Sequence, residues 1–181
     1  MRQLDLELAR AIIGSPLGPL HLAASDDGLV EMLFAAQHPT PAGPLHERRG
    51  AAALGPPQAA ARHPILAHAA RELDAYFAGT LEAFTVPLAP RGTPFQIAVW
   101  QALVAIPFGA RRAYRDIARA LDKVGAERAV GAANGRNRIG IIVPCHRVVA
   151  ADGSLTGYAG GLDKKQWLLA HESREAFALF G

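Results

Sequence analysis

One short segment of this chain combines three side chains that could do chemistry together. Cys145 is followed directly by His146 and Arg147, at the end of the apolar run 139–143. Positive neighbours stabilise a thiolate, which is the nucleophilic form of cysteine, and an adjacent imidazole is a candidate base. Most free cysteines are instead small buried hydrophobes. The residue types favour a reactive thiol and leave the structural alternative open.

Cys145 is also the only cysteine among the 181 residues. It therefore has no intramolecular disulfide partner, and a zinc site with several cysteine ligands is excluded. We expect no metal and no cofactor. Adjacent side chains at a strand end point in different directions, which disfavours a cysteine hydrolase that pairs Cys145 directly with His146.

Charge is unevenly distributed along the chain. Residues 1–90 carry 6 basic and 9 acidic side chains, whereas residues 91–181 carry 13 basic and 7 acidic. The segment 111–147 alone holds 9 basic and 3 acidic residues, a net charge of +6. A local basic field of this kind can bind phosphates, although a solvated helix face is the more common explanation. A proline-rich junction between the halves predicts two domains, 1–90 and 91–181.

No part of the sequence predicts a membrane partner. A run of about 18 apolar residues, the length that a membrane span needs, does not occur. Acidic residues lie near the amino terminus, where a signal peptide would need its apolar stretch. We therefore expect an intracellular protein, in the cytoplasm or, in a eukaryote, the nucleus.

The first half reads as a small sheet with one helix. Apolar residues alternate or cluster over 4–13 and 19–34, which predicts about three antiparallel strands joined by hairpins. Residues 35–63 are rich in Ala, Pro and Gly without a period and predict a long surface loop. Apolar positions at helical spacing then predict a helix that begins near Ile65 and ends at Gly79.

The second half reads as mostly helical. Two short helical stretches, 114–121 and 126–133, have the outline of a helix-turn-helix, which places its second helix against DNA. Any pair of short antiparallel helices would show the same pattern. The apolar run 139–143 predicts a buried strand that leads into Cys145, and a last helix is expected over 164–177.

Residues 142–149 (IVPCHRVV) resemble the active-site motif of the O6-alkylguanine-DNA alkyltransferases. The resemblance continues through 93–100 (TPFQIAVW), 106–109 (IPFG), 113–118 (AYRDIA), 128–131 (RAVG), 157–162 (GYAGGL) and 165–172 (KQWLLAHE). It implies an α+β fold, with an N-terminal ribonuclease-H-like α/β domain followed by a mostly helical winged-helix-like DNA-binding domain. It also implies DNA repair by a methylated-DNA-[protein]-cysteine S-methyltransferase, in which a methyl or other alkyl group passes from guanine O6 to Cys145 once per molecule.

The same resemblance implies the catalytic residues. Cys145 loses its proton through a water held by His146, which Glu172 orients, a relay with the logic of a nucleophile triad. Tyr114 donates a hydrogen bond to the departing guanine, and Asn137 bridges the recognition helix and the active-site strand. From spacing alone, Glu172 would be a solvated carboxylate and Tyr114 a packing aromatic. The groups implied to line the base and alkyl pocket belong to Tyr114, Cys145, Val148, Tyr158 and Ala159.

The implied partner is double-stranded DNA that carries O6-alkylguanine. The damaged nucleotide is flipped out of the duplex, which costs a few kcal/mol of unstacking, while the second helix enters the minor groove and Arg128 fills the vacated space. The residues implied to contact DNA are Arg128, Ala129, Gly131 and Ala132, of which the small ones are equally typical of helix packing. We expect a monomer; cooperative binding along DNA and repair of O4-alkylthymine are left open.

Two features depart from the family pattern. Arg138 follows Asn137 where relatives usually have proline, which frees the backbone and adds a cation on the DNA side. Some relatives bind zinc through cysteines of the N-terminal domain, and this chain has none there. Alkyltransferase-like proteins lack the nucleophile and only bind the lesion, so the presence of Cys145 with His146 and Glu172 favours alkyl transfer.

Overall fold

The computed structural model describes residues 8–35 and 62–173. The chain forms two compact units that divide between Pro90 and Arg91. Helices and strands are both present, which confirms the predicted α+β class. Within the described ranges, no helix is long and apolar enough to cross a membrane.

The first unit is an antiparallel sheet with one helix packed on it. Its strands pair in the order β1 (Ala9–Ile13), β2 (Leu20–Ser25) and β3 (Gly28–Phe34). Helix α1 spans Pro64–Phe77 and contacts all three strands. The predicted strands and helix are confirmed in these ranges, and most of the predicted loop 35–63 lies outside the described residues.

The second unit is mostly helical. Its helices are α2 (Pro94–Val104), α3 (Tyr114–Ala120), α4 (Glu127–Gly135) and α5 (Leu162–Ser173). Two very short strands, β4 (Arg112–Ala113) and β5 (Val148–Val149), pair in parallel. The predicted pair of short helices is confirmed as α3 and α4, whereas residues 174–177 of the predicted last helix lie outside the described part of the chain.

Helix α2 anchors α4 within this unit. Thr93 and Gln96 form a reciprocal capping box, with Gln96 N–H donating to Thr93 Oγ1 (3.3 Å) and Thr93 N–H to Gln96 Oε1 (2.9 Å). Such a box satisfies two backbone donors at the start of a helix. One turn later, the indole N–H of Trp100 donates to the carbonyl of Ala133 on α4 (2.9 Å). This bond fixes α4 against the rest of the unit.

The predicted strand over 139–143 is wrong. The segment is buried, as expected, but it folds into tight turns. Ile142 N–H donates to Gly140 O (2.7 Å), which closes a γ-turn around Ile141 at a φ of 62°. Cys145 N–H donates to Val143 O (2.8 Å) across Pro144. An apolar run signals burial, and periodicity cannot tell a buried strand from another buried conformation.

Candidate active site

Cys145 begins a single 3₁₀ turn, Cys145–Arg147, rather than ending a strand. The thiol residue is buried, with an exposed fraction of 6%. Burial raises the pKa of Cys145, and the hydrogen bond from Asn137 and the charge of Lys165 act in the opposite direction. The site therefore contains groups that favour the thiolate, within surroundings that on balance keep the resting thiol protonated.

His146 and Glu172 form a fully buried pair. Nε2 of His146 lies 2.7 Å from Oε1 of Glu172, and neither side chain is exposed. Burial alone would raise the pKa of Glu172, but hydrogen bonds from His146 and Arg147 lower it to about 2. Because an ionised carboxylate can only accept hydrogen bonds, Nε2 of His146 carries its proton. Burial lowers the pKa of His146, against the effect of Glu172, so the imidazole is neutral.

The neutral imidazole leaves one nitrogen available. With the proton on Nε2, Nδ1 of His146 is an acceptor. This atom is buried and has no hydrogen-bond partner among the described residues. A buried acceptor without a donor is costly in a purely structural residue, so the arrangement suits a base.

Arg147 forms a two-point ion pair with Glu172. Its Nε donates to Oε2 of Glu172 (2.8 Å) and its Nη2 to Oε1 (2.9 Å). Its Nη1 donates to the carbonyl of Ile106 (2.5 Å), and its guanidinium lies 5.9 Å from the ring centre of Phe108. Arg147 is close to Cys145 in the sequence, but its side-chain hydrogen bonds go to Glu172 and to the backbone before α3.

Lys165 is a member of the site that sequence reasoning missed. Its side chain is fully buried, and Nζ donates to the carbonyls of Val148 (2.7 Å) and Thr156 (2.8 Å). Burial lowers the pKa of Lys165, while the charge of Cys145 acts to raise it. One signal was present in the sequence: positions 165, 168, 169 and 172 share one helical face, which places Lys165 beside two leucines.

Two asparagines at the end of α4 reach the turn before the thiol. Nδ2 of Asn137 donates to Val143 O (2.8 Å), and its Oδ1 accepts from Ile139 N–H (2.9 Å). Asn137 therefore bridges α4 and the active-site turn, not a strand. Nδ2 of Asn134 donates to the carbonyl of Cys145 (3.4 Å). Sequence reasoning missed Asn134, which had no signal beyond its place on the helix.

The remaining pocket residues lie on three different elements. Tyr114 begins α3 directly after β4, whose pairing of Arg112 with Val148 places the start of α3 beside β5. Tyr158 and Ala159 lie in the loop between β5 and α5, Tyr158 half-buried and Ala159 exposed. Asn137 hydrogen bonds Cys145, and Val148 N–H donates to the carbonyl of Cys145. His146, the next residue in the same 3₁₀ turn, binds Glu172, so these five residues lie in one part of the unit.

Helix α4 has one buried face and one exposed face. Val130, Ala133 and Asn134 are buried, whereas Arg128, Ala129 and Ala132 are exposed. Gly131 faces α3, since a Cβ there would lie 3.7 Å from the ring of Tyr114. Arg147 is the one buried basic residue of 111–147. The exposed ones are Arg111, Arg112, Arg115, Arg119, Lys123, Arg128, Arg136 and Arg138. Within the described residues, no group of three His, Cys, Asp or Glu side chains could hold a metal ion.

A buried cysteine followed by a buried His–Glu pair, in the same unit as a basic two-helix element, is the arrangement expected of a cysteine-dependent protein that acts on nucleic acid. Two family models match the chain: the ribonuclease-like domain of 6-O-methylguanine DNA methyltransferase over residues 8–90, and its DNA binding domain over residues 94–174. The chain belongs to the 6-O-methylguanine DNA methyltransferase family. This confirms the resemblance seen in the sequence and the expected two-domain fold.

Individual relatives agree over almost the whole chain. A methylated-DNA--protein-cysteine methyltransferase of Methanosarcina barkeri is 46% identical over 164 residues, which is 89% of this chain and 94% of that protein. The crystal structure of Mycobacterium tuberculosis O6-methylguanine methyltransferase matches with a TM-score of 0.74 and 40% identity, covering 96% of this chain and 99% of that one. OGT of the same organism in complex with DNA matches with a TM-score of 0.74 and 42% identity, covering 91% and 92% of the two chains.

Proposed function

We propose that this protein repairs DNA by moving an alkyl group from guanine O6 to Sγ of Cys145. The observation that carries the proposal is the buried thiol next to the His146–Glu172 pair. Membership of the family and the names of its relatives support the same reaction. The buried acceptor atom Nδ1 of His146, which has no hydrogen-bond partner among the described residues, supports His146 as the base.

The transfer is a single displacement. The thiolate attacks the alkyl carbon, the carbon–oxygen bond breaks, and its electron pair stays on guanine. Nδ1 of His146 takes the thiol proton by way of a bridging water, as the family resemblance implies, and Tyr114 hands one proton to the departing base. The product thioether has no leaving group that water could displace, so each molecule acts once.

The remaining site residues shape the pocket. Asn137 holds the turn before the thiol through Val143 and Ile139. The loop that carries Tyr158 and Ala159 lines the alkyl pocket, and backbone groups of Cys145 and Val148 bind the edge of the base. Gly157, at a φ of 30°, and Gly161, at 97°, bracket that loop in conformations that suit glycine.

The DNA interface is assigned to α4. Arg128, Ala129 and Ala132 lie on its exposed face, and Gly131 lies next to Tyr114. In this proposal Arg128 occupies the space of the flipped nucleotide, and the exposed arginines nearby neutralise phosphates. The functional domains are 1–90 and 91–181, the protein acts as a monomer without a cofactor, and it works where the DNA is, in the cytoplasm or a nucleus.

Intact-mass measurement tests the transfer. The full chain is incubated with a duplex that contains one O6-methylguanine, and with the same duplex unmethylated as control. We expect a gain of one methyl group per chain, which Cys145→Ala abolishes. Since the chain holds a single cysteine, the modified thiol needs no further mapping. No gain in mass, or many substrates processed per chain, would contradict the proposal.

A further inference from the structure

Arg147 is held more firmly than any packing role requires. Three of its nitrogens donate within the site: Nε and Nη2 to the two oxygens of Glu172, and Nη1 to Ile106 O. The exposed fractions of the two side chains are 6% for Arg147 and 0% for Glu172. A planar guanidinium that meets both carboxylate oxygens makes the strongest and most directional kind of ion pair.

Glu172 needs this partner in order to stay ionised. Its donors also include Nε2 of His146, at 2.7 Å, and the backbone N–H of Gly109, at 3.3 Å, and neither of these two carries a full charge while the imidazole is neutral. A buried carboxylate without a counter-charge takes up a proton. A protonated Glu172 could donate to Nε2 of His146, which would move the imidazole proton to Nδ1.

We propose that Arg147 is a positioning residue that keeps Glu172 a carboxylate and so fixes His146 in the tautomer whose Nδ1 accepts a proton. The inference rests on the proposed function and names a further residue on which its base depends. Arg147 acts through Glu172 and touches neither the thiol nor the substrate.

The charged groups that face His146 support the same role. They are Glu172 and Lys165 from α5, together with Arg147 and the neighbouring thiol of Cys145. After burial, the charges of Arg147 and Lys165 lower the pKa of His146, while Glu172 raises it. Without Arg147, Glu172 is protonated and Nδ1 of His146 carries the imidazole proton, so Nδ1 no longer accepts and formation of the Cys145 thiolate moves to higher pH.

Thiol reactivity gives the first test, because it needs no methylated DNA. Arg147→Met and Arg147→Gln remove the charge, Arg147→Lys keeps it, and Arg71→Met makes the same change on the exposed face of α1. The rate at which iodoacetamide modifies Cys145 is followed by intact mass across pH. For both neutral variants we expect the pH midpoint of the modification rate to rise by about one unit. At pH values below the midpoint, the rate should therefore fall about ten-fold. Arg147→Lys and Arg71→Met should keep the wild-type midpoint.

Imidazole nitrogen NMR supplies the second test, after isotope labelling of histidine and assignment of His146 by its loss in His146→Gln. The wild type and Arg147→Lys should show Nε2 protonated and Nδ1 bare, and the neutral variants should lose that pattern. A folded neutral variant with the wild-type nitrogen shifts and the wild-type pH midpoint would overturn the proposal. So would loss of the pattern in Arg147→Lys.

A double-mutant comparison separates action through Glu172 from a general structural effect. In a Glu172→Gln background, Arg147→Met should change the iodoacetamide rate by less than about two-fold, since linked residues are strongly non-additive. An undiminished ten-fold effect in that background would show that Arg147 acts elsewhere. The iodoacetamide rate and the imidazole nitrogen NMR are both independent of DNA. Failure of methyl transfer from DNA in the wild type would therefore contradict the proposed function and leave the role of Arg147 intact.

Discussion

Nε2 of His146 and Oε1 of Glu172 lie 2.7 Å apart, and both side chains are fully shielded from solvent. The two residues are 26 positions apart in the chain, on the 3₁₀ turn and on α5. Arg147 binds the same carboxylate from the other side. One buried anion thus joins His146 to the last described helix, and we expect the stability of the unit to depend on the charge of Glu172.

Through Glu172, the stability of the second unit depends on pH. Its pKa is lowered from 4.5 to about 2, so its contribution is complete above pH 4.5 and is lost as the pH falls towards 2. The linked change is on the order of 3 kcal/mol over this window. Glu172→Gln should be less stable than wild type at neutral pH. In urea unfolding at a series of pH values, the free energy of unfolding of wild type should fall by that much more than that of Glu172→Gln as the pH drops from 4.5 towards 2. Equal slopes in the two proteins would refute the assignment.

Lys165 should favour the thiolate by its charge. Because the Lys165 ammonium opposes the effect of burial on the pKa of Cys145, Lys165→Met should move thiolate formation to higher pH. The measurement is the pH dependence of Cys145 modification by iodoacetamide. Lys164→Met, the same change one position earlier at a half-exposed side chain that pairs with Asp163, should leave the midpoint unchanged. A common midpoint for all three proteins would exclude the electrostatic role.

At position 141, glycine should be at least as stabilising as alanine. It is a β-branched residue at a φ of 62°, a left-handed conformation that is strained for any side chain. Ile141→Ala removes buried packing worth about 2–5 kcal/mol and keeps the strain, whereas Ile141→Gly removes both. Denaturant unfolding should therefore find the glycine variant at least as stable as the alanine variant.

The neighbouring Ile139 is the control for this order. It is equally buried, at 1% exposure, and its φ is not positive. There glycine should be less stable than alanine by about 0.5–1 kcal/mol, the ordinary difference between the two residues. The same order at both positions would mean that the turn at Ile141 stores no strain.

Arg128 should matter for duplex substrates and not for the chemistry itself. If it fills the space of a flipped nucleotide, Arg128→Ala should slow methyl transfer from duplex DNA at least about ten-fold, or ~1.4 kcal/mol. Transfer from the free base O6-methylguanine should change little. Arg71→Ala, in the first unit, should alter neither rate. Equal losses on the two substrates would remove Arg128 from the flipping step.

The sequence was informative where a pattern repeats or a motif is dense. The three strands of the first unit and the helices α3 and α4 follow from periodicity and turn residues. Cys145 and His146 are noticeable because they are adjacent, whereas Glu172 needed the family resemblance. Helical spacing shows that Glu172 and Lys165 share a face with two leucines, but it cannot say what they meet.

The failures have a common physical origin. The turns over 139–143 depend on a positive φ at Ile141, which nothing in an isoleucine announces. Strands β4 and β5 have two residues each, too few for any periodic signal. Both features are imposed by tertiary packing around the cysteine. Local propensity is least informative there, because binding and catalytic sites tolerate strain that the rest of the fold avoids.

The pairing of Arg112 with Val148 brings together residues far apart in the chain. During synthesis, Cys145 joins the chain before Lys165 and Glu172 do, and contacts at such long range form late in folding. A growing or unfolded chain therefore carries an ordinary thiol next to an imidazole that no carboxylate holds in one tautomer. The fixed acceptor at Nδ1 of His146 therefore exists only in the finished domain.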